Sequence, residues 1–407
     1  MEKKSKWIKL KNRGVTAVNG FKSSGISSGL KKGKKDLAVI YSEHDAQAAG
    51  VFTRNLVQAA PVHLCKSHLE NPIRLLVVNS GNANACTGEE GMQNTVEMAE
   101  QAAAGLNLEA RQVMVSSTGV IGEQLPMEKI NNGINKALAG LNRGPGADIA
   151  AAEAILTTDT KIKQVAYRCS TLDGDFHLAG IAKGSGMICP NMATMLAFLV
   201  TDVRIERELL QKLFNEAVNS SFNVITVDGE TSTNDTALIL ANGAAEGVEI
   251  TAEGHGFDSF KGLLNLVCRE LGCSIVEDGE GLTKVITLTI KGAADQESAR
   301  ILSRSVLNSP LVKTAFYGED ANWGRIVVAL GYAGVDLDPD RLDIFIGPYQ
   351  VAANGGSVPF SEAEMKKILQ KRDVSILIDL KQGFAELTAW GTDMSHQYIT
   401  INSDYRS

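Results

Sequence analysis

The chain has 407 residues, of which 44% are apolar and 21% charged, a composition that excludes a disordered polymer and allows two domains. It carries 40 Lys and Arg against 47 Asp and Glu, a formal charge of −7, so the basic footprint of a nucleic-acid binder is missing. No apolar run reaches the ~18 residues that span a bilayer. In chain order, Leu37–Tyr41 reads as a buried strand, and Ile73–Val78 as another that runs into the turn Asn79–Gly88. From Glu90 to Leu106 the residues Met92, Val96, Ala99, Ala103 and Leu106 keep helical spacing. Val113–Val115 is a short strand ending in Ser116-Ser117-Thr118-Gly119, and helices follow near Met127–Leu138 and Ala147–Leu156. Ile162–Cys169 and Phe176–Ala182 form a strand pair around the Asp173-Gly174 turn. Met195–Thr201 is strand-like, and Glu206–Val218 is an amphipathic helix. Helix Phe257–Leu271, strand Val285–Ile290, helix Gln296–Leu307, strand Asp343–Ile346, helix Ser361–Leu369 and strands Ser375–Leu380 and Phe384–Trp390 complete the series.

Mixed strands and helices without strict alternation imply an α+β fold of layered sheets and helices. The expected division is a larger layered domain over 1–285 and a smaller carboxyl-terminal domain over 286–407. Six cysteines (65, 86, 169, 189, 268 and 273) are scattered without a C-x-x-C pair, so neither a disulfide framework nor a zinc site is expected. The basic start Glu2-Lys3-Lys4-Ser5-Lys6 lacks the apolar stretch of a secretory signal, and a reducing cytoplasm is expected. His63-Leu64-Cys65 and His68 lie close in sequence but lack the further ligands a metal needs, so no metal is expected.

One segment stands out, Lys183-Gly184-Ser185-Gly186-Met187-Ile188-Cys189-Pro190-Asn191-Met192-Ala193-Thr194-Met195-Leu196. A Gly-rich, Pro-broken loop runs straight into an apolar strand, with Thr194 at the junction. As a phosphate loop it fails, because the third Gly of the dinucleotide pattern and the Gly-Lys-Ser/Thr of a P-loop are absent. On residue chemistry alone, Thr at a strand start is ordinary β-propensity, Thr118-Gly119 is an ordinary tight turn, and Lys183 and Glu280 are ordinary surface charges.

Met192-Ala193-Thr194-Met195-Leu196 resembles the self-cleavage site of the ornithine acetyltransferase family, the bifunctional glutamate N-acetyltransferases. Further segments resemble family signatures in family order: Asn79–Gly88, Ser117–Gly122, Thr157–Thr160, Asp228–Asp235, Gly279-Glu280-Gly281 and Ile401–Ser407. Cys189, Glu230, Ser407 and the Tyr317–Arg325 segment depart from the family pattern.

The resemblance implies an N-terminal-nucleophile-like αββα sandwich with a smaller C-terminal α/β domain. It implies cleavage between Ala193 and Thr194, giving chains 1–193 and 194–407 that assemble as a heterotetramer of two of each. Thr194 is then the nucleophile, Thr118 and Gly119 form the oxyanion hole, and Thr157, Lys183, Thr194, Glu280, Asn402 and Ser407 bind substrate. Acetyl would pass from N2-acetylornithine to Thr194 and on to glutamate, releasing ornithine and N-acetylglutamate. No cofactor is implied; bifunctional members also take acetyl-CoA as donor. The alternatives are a related self-processing hydrolase and a non-catalytic single-chain binding protein. The residue chemistry supports the pairing: an N-terminal α-amine, with an ordinary pKa of roughly 7.7–8.0, can take the proton of its own hydroxyl, which an amide nitrogen cannot. Gly184-Ser185-Gly186-Met187 is also expected to bend the chain ahead of the cleavage bond.

Overall fold

Runs of Val, Ile and Leu that are buried on both faces become central strands, and apolar residues three and four apart become the helices that cover them. The computed structural model describes residues 6–189 and 195–404. Two compact units emerge. The first comprises Met1–Gly184, Pro190–Asn223 and Thr231–Ile275; the second comprises Ser185–Cys189, Val224–Glu230 and Val276–Ser407. The expected division at 285/286 falls one residue inside the strand Val285–Ala293, whereas the units part at 275/276. Two short stretches also join the second unit, because Val227 N–H bonds the Ile188 carbonyl at 2.6 Å and Thr226 N–H bonds the Trp390 carbonyl at 2.9 Å.

The strands of the first unit are β1 (Lys6–Lys9), β2 (Phe21–Ile26), β3 (Leu37–Phe52), β4 (Ile73–Asn82), β5 (Val113–Val120), β6 (Lys163–Ser170), β7 (Asp175–Lys183), β8 (Leu196–Thr201), β9 (Arg204–Ile205), β10 (Thr236–Ala241) and β11 (Glu249–Ile250). Its helices are α1 (Ala60–His68), α2 (Gly88–Ala104), α3 (Met127–Ala139), α4 (Pro145–Ala154), α5 (Arg207–Asn219) and α6 (Phe257–Val276). The main sheet runs β1-β6-β7-β8-β10-β3-β4-β5, with β2 also on β3. Strand β3 joins two half-sheets: Leu37–Tyr41 pair with β4, Gln47–Phe52 pair with β10, and the register slips between Tyr41 and Ala46.

The half-sheets enclose Ile40, Leu76, Val78, Ala179, Ile181, Phe198 and Leu238. Full burial of such a side chain contributes about 1.5–3 kcal/mol. On the outer face of β4 and β5, Leu75, Val77, Val113 and Val115 pack against Met98 and Ala99 of α2 and Ile130 and Ile134 of α3. Beyond the other half-sheet, Gln211 of α5 makes two 3.1 Å bonds to the Gly50 backbone, and Phe260 of α6 meets Phe176 of β7 with ring centroids 6.0 Å apart. The layers are therefore helix, sheet, sheet, helix, the αββα sandwich.

Strand β8 lies between antiparallel β7 and parallel β10, with Lys183 level with Leu196 and Leu196 level with Thr236. The expected hairpin is present: β6 and β7 pair from Ser170↔Asp175 onward, and Gly174 (φ +133°) makes the turn in a conformation closed to most residues.

The second unit holds β12 (Val285–Ala293), α7 (Gln296–Asn308), α8 (Pro310–Tyr317), α9 (Trp323–Gly331), β13 (Asp343–Ile346), β14 (Tyr349–Ala353), β15 (Gly356–Ser357), α10 (Glu362–Leu369), β16 (Asp373–Asp379), β17 (Ala385–Thr392) and α11 (His396–Ser403). Its sheet runs β15-β14-β13-β16-β12-β17. Ile286, Leu288 and Ile290 of β12 pack with Leu302 and Val306 of α7 and Ile326 of α9. Asp295 caps α7 by accepting the Ser298 N–H at 2.7 Å. Among the described residues, no helix is long and apolar enough to cross a membrane.

Candidate active site

The Thr118-Gly119 turn forms where β5 runs parallel to β4, with Gly81 opposite Gly119. Gly119 has φ +136°, and a Cβ there would lie 2.2 Å from the Gly81 carbonyl carbon. Only glycine permits that approach. The signature Asn79–Gly88 builds the scaffold behind the turn. Ser117 Oγ donates to Asn79 Oδ1 at 2.6 Å, and Asn79 Nδ2 donates to the Asn82 carbonyl at 2.8 Å. Asn84 Nδ2 reaches the Gly91 carbonyl and Thr95 Oγ1, both at 2.8 Å. Asn234, from the Asp228–Asp235 signature, donates to the Ala83 carbonyl at 2.5 Å and the Ser117 carbonyl at 2.9 Å. A buried amide left without such partners would cost about 1–3 kcal/mol, so these bonds hold the turn in one geometry.

Lys183 ends β7, and its Nζ donates to Thr118 Oγ1 at 3.4 Å. Asp159 sets its backbone: Oδ1 accepts the Gly184 N–H at 2.6 Å and Lys163 Nζ at 2.7 Å, while Oδ2 accepts the Thr157 N–H at 3.0 Å. Burial alone would raise the Asp159 carboxyl; the ammonium groups of Lys183 and Lys163 and the bonds from Lys163 and Thr157 instead hold it at about 2. Thr118, Gly119, Lys183 and Thr157 thus come together in the first unit, the last through Asp159.

Two residues here were missed in the sequence. Lys31 donates to the Leu156 carbonyl at 2.7 Å, and burial brings its ammonium down to about 8, with Asp36 and Asp159 opposing the shift and Lys34 and Lys183 adding to it. Asp235 lies inside a quoted signature yet had no assigned role. Its side chain is buried, and Oδ2 has no hydrogen-bond partner among the described residues. Burial pushes this carboxyl well above the ordinary range against the pull of Lys183.

In the second unit, the Glu280 N–H donates to the Ser185 carbonyl at 3.0 Å, and Asn402 Nδ2 donates to Glu280 Oε2 at 2.9 Å. A Cβ on Gly186 would sit 2.2 Å from Glu280 Oε2, so the loop passes directly over the carboxylate. Asp228 accepts the N–H groups of Met187 at 2.6 Å and Ile188 at 2.8 Å, and Tyr398 OH reaches it at 3.3 Å. Burial, the Asp228 charge and the bond to it raise the Tyr398 phenol. The expected bend is present in part: Gly184 has φ +153° and Met187 φ +56°. Ala193, Thr194 and Ser407 lie outside the described residues. Lys183 and Glu280 are each only 8% exposed, so neither is a solvated surface charge.

In the first unit, a backbone turn with a buried ammonium beside it is an arrangement that suits a developing oxyanion. In the second unit, by itself, Glu280 and Asn402 form a carboxylate–amide pair of the kind that meets the polar groups of an amino acid.

The ArgJ family model matches residues 22–407. The arginine biosynthesis bifunctional protein ArgJ of Thermotoga neapolitana is 49% identical over 395 residues, covering 95% of this chain and 99% of that protein. The protein of the same name from Caldanaerobacter subterraneus subsp. tengcongensis is 46% identical over 398 residues, covering 97% and 98%. A solved structure of ornithine acetyltransferase complexed with ornithine, from Mycobacterium tuberculosis, is 41% identical; it covers 46% of this chain and 99% of that one, with a TM-score of 0.44. With a likeness that takes in the Thr118-Gly119 turn, Lys183, Glu280 and the carboxyl-terminal helix, the chain belongs to the ArgJ family.

Proposed function

We propose that this enzyme of arginine biosynthesis is a glutamate N-acetyltransferase that moves acetyl from N2-acetyl-L-ornithine to L-glutamate. The observation that carries this reading is the end-to-end likeness to bifunctional ArgJ proteins, at 49% identity over 95% of the chain. The chain breaks itself between Ala193 and Thr194, and the new Thr194 carries a hydroxyl and an α-amine on one residue. The amine takes the hydroxyl proton as the oxygen attacks the acetyl carbonyl. The Gly119 backbone, with Thr118, stabilises the charge that develops on the carbonyl oxygen. Ornithine leaves, and glutamate accepts the acetyl group in a second half-reaction, so the kinetics are ping-pong.

Lys183 serves as a compact cation for a substrate carboxylate, with Thr157 beside it. Glu280 and Asn402 receive the amino-acid part of the ligand, together with Ser407. No cofactor is required, and acetyl-CoA serves as a second donor to glutamate. The mature enzyme is a cytoplasmic heterotetramer of two 1–193 and two 194–407 chains. Intact-mass analysis of the purified protein, with and without N2-acetylornithine, tests this reading. Two fragments meeting at 193/194 and an acetyl adduct on the second are expected; a single chain that turns over substrate would overturn it. Acetyl transfer that depends on glutamate, rather than plain deacetylation, separates the transferase from a hydrolase.

A further inference from the structure

The connection between β2 and β3 carries Lys31-Lys32-Gly33-Lys34-Lys35, four lysines in five residues of a chain whose formal charge is −7. Asp36, fully buried, closes this loop. Its Oδ1 accepts the Ser28 N–H at 2.6 Å and the Ser28 hydroxyl at 2.8 Å. Its Oδ2 accepts the N–H groups of Gly29, Leu30 and Lys31 at 3.1, 2.8 and 2.9 Å. The Asp36 carbonyl takes the Ser80 N–H at 2.8 Å, which fastens the loop to β4. The carboxylate is thus spent on the loop's own backbone, and charge-assisted bonds of this kind fix the places of the lysines that follow.

Lys31 turns inward. Its Nζ donates to the Leu156 carbonyl at 2.7 Å, and its Cγ lies 3.1 Å from the point a Cβ on Gly81 would take. Gly81 is in turn level with Gly119 in the pairing of β4 with β5, so the loop stands directly behind the Thr118-Gly119 turn. Lys31 also feels the charges of Asp159 and Lys183. Lys35 pairs with Glu153 of α4 at 2.5 Å. Lys32 and Lys34 are exposed and have no ion-pair partner among the described residues. Gly33 between them has φ +70°, and a Cβ there would meet nothing within 4 Å, so the tip faces open space. Lys129 of α3 adds a further ammonium at the base of the loop, donating to the Gly29 carbonyl at 3.2 Å.

Like charges gathered on a fixed turn repel one another, and a polyanion relieves several of them at once. Lysine meets phosphate oxygens as a compact point charge. An acyl-coenzyme A thioester has the matching form: an acetyl group at one end of a long arm, and a pyrophosphate and a ribose phosphate at the other. N2-acetylornithine and glutamate carry no phosphate and give these lysines nothing to bind. We propose that the Lys31–Lys35 loop is the phosphate-binding subsite for acetyl-CoA, with Lys32 and Lys34 holding the phosphates while the acetyl end lies at the Thr118-Gly119 turn. This rests on the reading of acetyl-CoA as a second donor. Lys31, anchored on the Leu156 carbonyl, positions the loop.

The test is steady-state acetyl transfer to glutamate by the full-length purified enzyme, run with acetyl-CoA and with N2-acetylornithine as donor. In the double variant Lys32→Ala with Lys34→Ala, KM for acetyl-CoA should rise about tenfold or more, while KM for N2-acetylornithine stays within about twofold. Lys32→Glu with Lys34→Glu should raise KM for acetyl-CoA further, by about 100-fold, because the loop then repels phosphate. In wild type, 3′-dephospho-acetyl-CoA should show a higher KM than acetyl-CoA, and S-acetylpantetheine, which has no phosphate, a KM higher by about tenfold or more. This arm needs no variant to fold. Added salt should weaken the use of acetyl-CoA more steeply than that of N2-acetylornithine. An unchanged KM for acetyl-CoA in both double variants overturns the proposal, as does a rise of equal size for the two donors, or an equal KM for acetyl-CoA and S-acetylpantetheine. A wild type that takes acetyl from N2-acetylornithine alone removes the donor reading and the proposal with it. A wild type active with acetyl-CoA beside equally active double variants removes only the role of the loop.

Discussion

The Lys183 ammonium and the Thr118 hydroxyl meet at 3.4 Å, where β7 ends and the turn of β5 begins. The cation therefore stands beside the proposed oxyanion donors rather than out in solvent. Lys183→Met should lower kcat/KM for N2-acetylornithine by about 100-fold or more, the scale of losing one preorganised electrostatic group. Lys183→Arg should not restore it, because a planar guanidinium does not fit the place of a compact ammonium. Steady-state kinetics of both variants check this, and a fully active arginine variant would contradict it.

Gly119 is the most constrained position of the turn. In Gly119→Ala the new Cβ would lie 2.2 Å from the Gly81 carbonyl carbon, at a φ of +136°. The backbone must shift, at a cost of about 1–3 kcal/mol, which displaces the N–H proposed above as an oxyanion donor. The expected result is a kcat lower by about 100–1,000-fold. Burst kinetics of the acetyl-enzyme should show the loss in the acetylation step.

Asn402 reaches Glu280 Oε2 at 2.9 Å. Asn402→Ala removes a hydrogen bond to a charged group, a contribution of about 1.5–3 kcal/mol, and leaves Glu280 less well oriented. We expect KM for N2-acetylornithine to rise about tenfold or more with a smaller change in kcat. An unchanged KM would separate this pair from substrate binding.

Asp159 links pH to stability. Its carboxyl is held at about 2 in the folded protein, against an ordinary 3.8. A depressed carboxylate contributes stability that is complete above the unfolded value and is lost as pH falls through the folded one. The contribution is about 2 kcal/mol, present above pH ~4 and gone below pH ~2. Denaturant unfolding of wild type and Asp159→Asn should differ most above pH ~4, and their difference should shrink as pH falls towards ~2. A difference that stays constant over that range would show the carboxylate charge to be irrelevant.

Much of the scaffold was legible because it is periodic. The helices near 90–106, 127–138 and 206–218 and the hairpin around Asp173-Gly174 show their apolar spacing directly. Strand β3 is legible only to Tyr41 because its continuation, Ser42-Glu43-His44-Asp45, is polar; the pairing of Leu37–Tyr41 with β4 ahead of this stretch and of Gln47–Phe52 with β10 after it, not propensity, carries the strand through. Strand β10 is not marked in the sequence although Thr236–Ala241 is buried throughout, because it follows directly on the polar run Asp228–Asp235 and, buried on both faces, shows no alternation. Helix α8 begins at Ser309-Pro310, a readable cap, but spans only Pro310–Tyr317, too short for a period to emerge. In the site, Thr118, Gly119 and Lys183 were found by motif. The buried amide network of Asn79, Asn84 and Asn234 was not, since only tertiary pairing turns those polar residues inward. The same holds for Asp235, whose place depends on parallel pairing across forty residues of sequence separation, from Met195 to Asp235.

Strand β8 is hydrogen-bonded along its length to β7 on one side and β10 on the other. A nick just upstream of it therefore severs connectivity without freeing a piece. The portion carrying β7 and the portion carrying β8 remain interlocked as one fabric, each supplying threads the other lacks. Once separated by denaturant, neither should weave that fabric by itself, and mixing the two should be needed to recover it.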